Sequence, residues 1–149
     1  MRKNYQGLFV PTNKSKYKGD ITNIVFRSSW ELKFFRWLDG ESAVIEWSSE
    51  TLTIPYVSPV DNKIHRYFPD IVMKVKQSDG KIKTTVVEIK PAYQTVPPKQ
   101  KKNVTPGYLS ELKTYAVNQS KWRAAERFCK DVNADFQILT ELELFGTTA

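Results

Sequence analysis

The stretch that most constrains this chain is a pair of strand-forming runs, residues 66–75 and 82–90, joined through Ser78-Asp79-Gly80. Runs rich in Val, Ile, Thr and aromatic residues, separated by a short turn that ends in glycine, predict a β-hairpin. Side chains alternate across a strand, so a slip of one residue moves every side chain to the opposite face. A two-residue turn at Asp79-Gly80 would oppose Asp70 to Ile89. A three-residue loop with Gly80 left-handed opposes residue 70 to residue 88 instead, and glycine suits that position. This second register sets Asp70 beside Glu88, while Lys90, two residues further along the strand, points to the same face.

These residues form a Pro69-Asp70 and Glu88-Ile89-Lys90 pattern with seventeen residues between the acids. The bare pattern recurs by chance, and its plain structural alternative is a solvated cross-strand face. Against that alternative, the acids are embedded among Phe68, Ile71, Val72, Val86, Val87 and Ile89, where an unpaired carboxylate is costly. Two carboxylates and the Ile89 carbonyl make an oxygen donor set of the kind Mg²⁺ takes, with sites left for water and phosphate. A metal so held, with a lysine beside it, is what phosphodiester hydrolysis demands. Mn²⁺ should substitute, whereas one cysteine, Cys129, and one histidine, His65, leave too few soft ligands for structural zinc. Cys129 reads as core and His65 as a strand-edge residue.

Glu31 is the third candidate acid. It could hold a metal or orient water, but Ser28-Ser29-Trp30-Glu31 is equally a capping box in which Glu31 reaches back to the Ser28 amide. Glu111 and Tyr115, four apart on a helix, either line a cleft or sit on an exposed face. Lys121 and Arg123 are either phosphate contacts or surface charge.

Elsewhere, residues 24–38 carry Trp30, Phe34, Trp37 and Leu38 at helical spacing closed by Gly40. Residues 43–57 read as one or two strands, with Pro55 marking an edge or a bulge. The proline- and lysine-rich residues 91–107 form a loop. Residues 108–132 predict one long helix, or two with a break near Asn118, and residues 136–139 a last strand, after which Thr140 and Glu143 cap a final turn. With 149 residues, this is the length of a single domain, residues 1–149, made of a basic arm (1–23) and a core (24–149). No apolar run approaches membrane-spanning length, and nothing at the amino terminus reads as a secretory signal, so action inside a cell is expected.

Twenty-three Lys and Arg against sixteen Asp and Glu give a net charge of +7, which favours a polyanionic partner. The excess is concentrated: Arg2, Lys3, Lys14, Lys16 and Lys18 lie in the first nineteen residues without one acid, and Lys99, Lys101 and Lys102 form a second cluster. The arm is expected to add electrostatic affinity or to dock a partner without forming the active site.

With these residues placed, the chain resembles the PD-(D/E)XK nuclease superfamily, and within it is similar to the head-completion nucleases of T-even-type tailed phages. The likeness is carried by Tyr5-Gln6-Gly7, Pro11-Thr12-Asn13, Lys16-Tyr17, Arg27-Ser28-Ser29-Trp30-Glu31, Trp47-Ser48-Ser49-Glu50, Ile54-Pro55-Tyr56, Pro69-Asp70, Glu88-Ile89-Lys90 and Lys121-Trp122. Glu31 followed by Pro-Asp and Glu-Ile-Lys-Pro is also similar to transposon-end nuclease subunits of the same superfamily. The resemblance implies an α/β (α+β) restriction-endonuclease-like fold, a mixed sheet flanked by helices. It further implies Mg²⁺-dependent DNA cleavage during head completion, with Asp70 and Glu88 as metal ligands, Lys90 as catalytic lysine and Glu31 as helix acid. Its implied setting is the infected cell or the head–tail junction of the virion, with portal or neck proteins as partners and no membrane. The cations expected to meet DNA are Lys14, Lys16, Lys18, Arg27, Lys99, Lys101, Lys102 and Lys121. Ile71, where relatives carry an acid or Phe, is a departure that leaves the metal site intact. The readings set against a nuclease are a structural portal- or neck-binding protein that keeps only the fold, and a transposition or recombination endonuclease subunit.

Overall fold

A computed structural model describes residues 5–146, so Arg2 and Lys3 lie outside the described residues. The chain runs β1 (Gly7–Leu8), β2 (Val25–Phe26), α1 (Ser29–Gly40), β3 (Val44–Ser49), β4 (Ile54–Val57), β5 (Ile64–Tyr67), β6 (Ile71–Lys76), β7 (Ile82–Ile89), α2 (Pro106–Asp131), β8 (Asp135–Leu139) and α3 (Glu141–Phe145). Four strands form a mixed sheet in the order β3-β6-β7-β8, antiparallel except for the parallel pair β7 and β8. That parallel pair requires a crossover, which α2 supplies. The predicted α+β architecture, a mixed sheet flanked by helices, is what the chain adopts. Among the described residues no helix is long and apolar enough to cross a membrane.

The hairpin takes the three-residue loop. Lys76 pairs with Ile82, the Gln77 amide donates to the Lys81 carbonyl (2.8 Å), and Gly80 has φ +85°, a left-handed conformation open to glycine at little cost. The register therefore runs to Ile71 opposite Val87, with residue 70 next to residue 88.

The first strand run is cut in two. Residues 64–67 pair with β4 in a separate two-stranded ribbon, and the chain enters the main sheet only at Ile71. Pro69 sits at the break, where a residue without an N–H cannot extend a ladder. Residues 43–57 divide likewise into β3 in the sheet and β4 in the ribbon, where Pro55 is tolerated on an edge.

Alternation assigns the two faces. Ile71, Met73, Val87, Ile89 and Leu139 pack with Leu32, Phe35 and Leu38 of α1 on one side. Phe136 and Ile138 of β8 lie on the other, with Trp122 and Ala125 of α2 and with Ile54 and Tyr67 of the ribbon. Glu88, flanked by Val87 and Ile89, consequently faces α2. The α2 helix is continuous through a buried Asn118, with no break, and begins at Pro106, the first-turn position where proline is tolerated. The capping box predicted for Thr140 and Glu143 is present at α3.

The basic arm is largely irregular, with the two-residue strand β1, and its aromatics anchor it to the core. Phe9 and Tyr17 are buried in the α1-side core, and Tyr17 stands edge-on to Trp47 at 4.7 Å while its hydroxyl accepts from the Ser49 amide (3.2 Å). Asp39, near the end of α1, accepts from the amides of Thr12 and Asn13, each at 2.9 Å. The Lys16 ammonium donates to the carbonyls of Asp39 (3.1 Å) and Glu41 (2.7 Å), the position where a cation complements a helix C-terminus. Apolar burial of the arm's aromatics thus outweighs its irregular sequence.

Candidate active site

The hairpin register and the break at Pro69 together place Asp70 at the entry to β6. Its Oδ2 accepts from the Ile89 amide at 2.7 Å, and its backbone carbonyl accepts from the Glu50 amide at 3.1 Å. Glu88 is buried on the α2 side, where the Tyr67 hydroxyl donates to its Oε2 in a short hydrogen bond. Lys90 follows β7 directly, is half-buried, and its amide donates to the Leu139 carbonyl (2.9 Å), which extends the parallel ladder past Glu88.

The electrostatics of these groups are coupled. Burial pushes the Asp70 carboxyl well above the usual carboxylate range, and the adjoining Glu88 carboxyl pushes it further; the Ile89 amide offsets part of this, and Glu31 adds to it. Burial also raises the Glu31 carboxyl, against hydrogen bonds from the Arg27 backbone and the Ser28 hydroxyl. Tyr67 is raised by burial first and by Glu88 second, which keeps its hydroxyl protonated as a donor. Lys121 on α2 is lowered by burial, raised by Glu88 and Asp70, and lowered by Lys90, so it belongs to the same cluster. Its ammonium stands 5.7 Å from the Tyr67 ring and 5.8 Å from the Tyr56 ring.

Of the expected site residues, Asp70, Glu88, Lys90 and Lys121 come together. Glu31 is buried at the start of α1 with its carboxylate on the Ser28 hydroxyl (3.2 Å), not on the Ser28 amide as a full capping box requires. Ser28 still caps the helix, accepting from the Glu31 amide at 3.1 Å. Three of the cations expected to meet DNA are otherwise engaged. Lys16 is held by backbone carbonyls, Arg27 makes a two-pronged ion pair with Glu50 (2.9 and 3.0 Å), and Lys101 lies 3.9 Å from Glu111. Lys14, Lys18, Lys99 and Lys102 are exposed. His65 lies in β5 beside Asp61 (2.8 Å), and Cys129 is buried, as the sequence suggests.

Two contributors escape the sequence reading. Tyr67, three residues before Asp70, reads there as part of a strand, and only its position beside an acid-bearing run hints at more. Glu50 has φ +55°, an unfavourable conformation for a side-chain-bearing residue. It is held by the Arg27 pair and by its amide on Asp70, so it braces the acid from behind.

The donor chemistry fits a hard divalent cation. Half-buried Asp70 and buried Glu88 repel one another when both are charged, and a cation between them would offset the burial and repulsion that raise Asp70. Among the described residues no three His, Cys, Asp or Glu side chains converge as a ligand set. A cation held by this pair would take its further ligands from backbone carbonyl or water, a donor set that would suit Mg²⁺.

Residues 41–141 match the family described as TnsA-like endonuclease N terminal. The chain is also similar to the head completion nuclease of Enterobacteria phage T4, with 41% identity over 141 residues, covering 92% of this chain and 91% of that protein.

Proposed function

Because the chain belongs to the family of TnsA-like endonuclease N-terminal domains, we propose that it is a Mg²⁺-dependent DNA endonuclease acting at Asp70, Glu88 and Lys90. The observation that carries this reading is the pairing of half-buried Asp70 with buried Glu88 by the hairpin register and the Ile89 amide, with Lys90 and Lys121 in the same charge cluster. Asp70, Glu88 and the Ile89 carbonyl hold the metal, with Glu31 supporting them from α1. When bound, Mg²⁺ supplies a lowered water pKa and offsets charge on the phosphate. The protein groups divide the remaining work. The Ile89 amide orients Asp70, the Tyr67 hydroxyl fixes the rotamer of Glu88, and Lys90 presents an ammonium to the attacking water. Lys121, approaching from the opposite element, meets the scissile phosphate. Mn²⁺ replaces Mg²⁺ because the donors are oxygens.

The biological setting we propose is phage head completion, supported by a relative of that name alignable over 92% of the chain. In that setting the protein works on DNA in the infected cell or at the head–tail junction, with portal or neck proteins as neighbours. Incubating the purified chain with circular and linear DNA, with Mg²⁺, Mn²⁺, Ca²⁺ or chelator, tests the activity. Cleavage with Mg²⁺ and Mn²⁺ that vanishes with chelator and in Asp70→Ala is expected. Metal-independent cleavage, or full activity of the variant, refutes the assignment.

A further inference from the structure

The segment after Lys90 and the first half of α2 line an open cavity of about 370 Å³, walled in part by Tyr93, Gln94, Glu111, Tyr115 and Asn118. Its size falls among small-ligand cavities. Asn118 is only 6% exposed, and what remains accessible of it lines this space. An amide that opens onto such a space can meet the donors and acceptors of a group from outside the chain. Asn118 precedes Lys121 by three residues, one turn away on the same face of α2, and Tyr93 follows Lys90 by three. The cavity is therefore built by the two segments that adjoin Lys90 and Lys121.

The wall says which chemistry fits. Its one formally charged side chain is the Glu111 carboxylate, 3.9 Å from the Lys101 ammonium, and among the described residues no cationic side chain lines the wall to hold a phosphate. Asn118 and Gln94 offer amide donors and acceptors, Val96 and Pro98 add apolar surface, and the Tyr93 ring is 73% exposed at the rim. A neutral, flat, hydrogen-bonding group that stacks on an aromatic ring is a nucleobase. Exposed Lys99 and Lys102 on the adjoining loop and Lys121 one turn along are placed for the phosphates on either side.

Resting on the nuclease reading above, we infer that this cavity takes one unpaired nucleobase of the DNA strand being cut, beside the scissile phosphate. Asn118 hydrogen-bonds the base edge and Tyr93 stacks on its face. A base inside a duplex cannot reach such a cavity without leaving the stack, so the preferred substrate has an unpaired nucleotide at the cut: a gap, a flap or a single-stranded end.

The test uses the full chain and duplexes carrying one 2-aminopurine, either fully paired or inside a short single-stranded gap. Binding is titrated without divalent metal, and cleavage of the same DNAs is followed in parallel with Mg²⁺. The gapped duplex should bind roughly tenfold more tightly, with a change in 2-aminopurine fluorescence that the paired duplex lacks. Tyr93→Ala, at a position 73% exposed and outside the core, should abolish both the preference and the fluorescence change while paired-duplex affinity stays within about twofold. Asn118→Ala, if its melting curve is cooperative, should lose the preference as well. Equal binding of the two duplexes by the unaltered chain, or an undiminished preference in Tyr93→Ala, overturns the base-binding cavity. Absence of cleavage on every DNA would sink the nuclease reading instead, and the binding titration would still decide the cavity.

Discussion

The amide of Ile89 donates a 2.7 Å hydrogen bond to Asp70 Oδ2, so the strand that carries Glu88 also orients the acid facing it. One backbone ladder therefore holds both carboxyls against their mutual repulsion. Energy stored in this way at a functional site is released when the charge is removed or neutralised.

Asp70→Asn should abolish Mg²⁺-dependent cleavage and yet stabilise the metal-free protein. The substitution removes a carboxyl raised by burial and by Glu88 while keeping an oxygen for the Ile89 amide. A gain of about 1 kcal/mol corresponds to a Tm rise of roughly 2–4 °C for a chain of this size. A clear fall in Tm by calorimetry would mean that the repulsion is already compensated by the fold.

Glu31→Gln should lower turnover by about 10²-fold with the fold retained, since a buried carboxylate whose field reaches Asp70 contributes its charge to holding the cation. Near-normal turnover in the folded variant would reduce Glu31 to a helix-start residue.

The same carboxyl sets a pH signature. Burial raises its folded pKa above the unfolded value, so the folded state retains the proton longer. Stability is then highest below the ordinary carboxylate pKa, declines as pH rises toward the raised value, and levels off above it. Urea melts of the metal-free protein between about pH 4 and pH 8 should show this decline, and Glu31→Gln should make it shallower. An identical slope in the variant would assign the linkage to other groups.

Tyr67→Phe should reduce cleavage roughly tenfold and shift the Mg²⁺ midpoint upward, because losing a hydrogen bond to a charged group costs about 1.5–3 kcal/mol and frees the Glu88 side chain. Unchanged metal dependence would show that Glu88 is fixed by packing alone.

Asp39→Ala, remote from the acid pair, should cost stability and leave metal affinity intact. It strips the amides of Thr12 and Asn13 of their acceptors, at about 1–3 kcal/mol, so Tm should fall by several degrees. For the same reason, removing the first nineteen residues should unfold the chain rather than merely weaken DNA binding, since Phe9 and Tyr17 leave the core with them. A truncated protein with a normal melt would show that the arm is peripheral.

Residues close along the chain settled what the sequence determined alone. Gly80 in a three-residue loop fixes the parity that brings residue 70 to residue 88, and alternation then carries Lys90 to the face of Glu88. Helical spacing located α1 and α2, and Thr140 with Glu143 located α3, since caps and periodicities act over a few residues. Tertiary packing decided the rest. Tyr67 reaches Glu88 because Pro69 ends the ladder and turns the ribbon across the sheet, and Lys121 reaches it because α2 must cross that face to set β8 parallel to β7. The arm became core because Phe9 and Tyr17 found apolar surface on α1 and Trp47 that no local pattern announces. A polar or basic residue carries no local mark of its partner, because long-range contacts depend on where whole elements pack, and that is set by the apolar area they bury together.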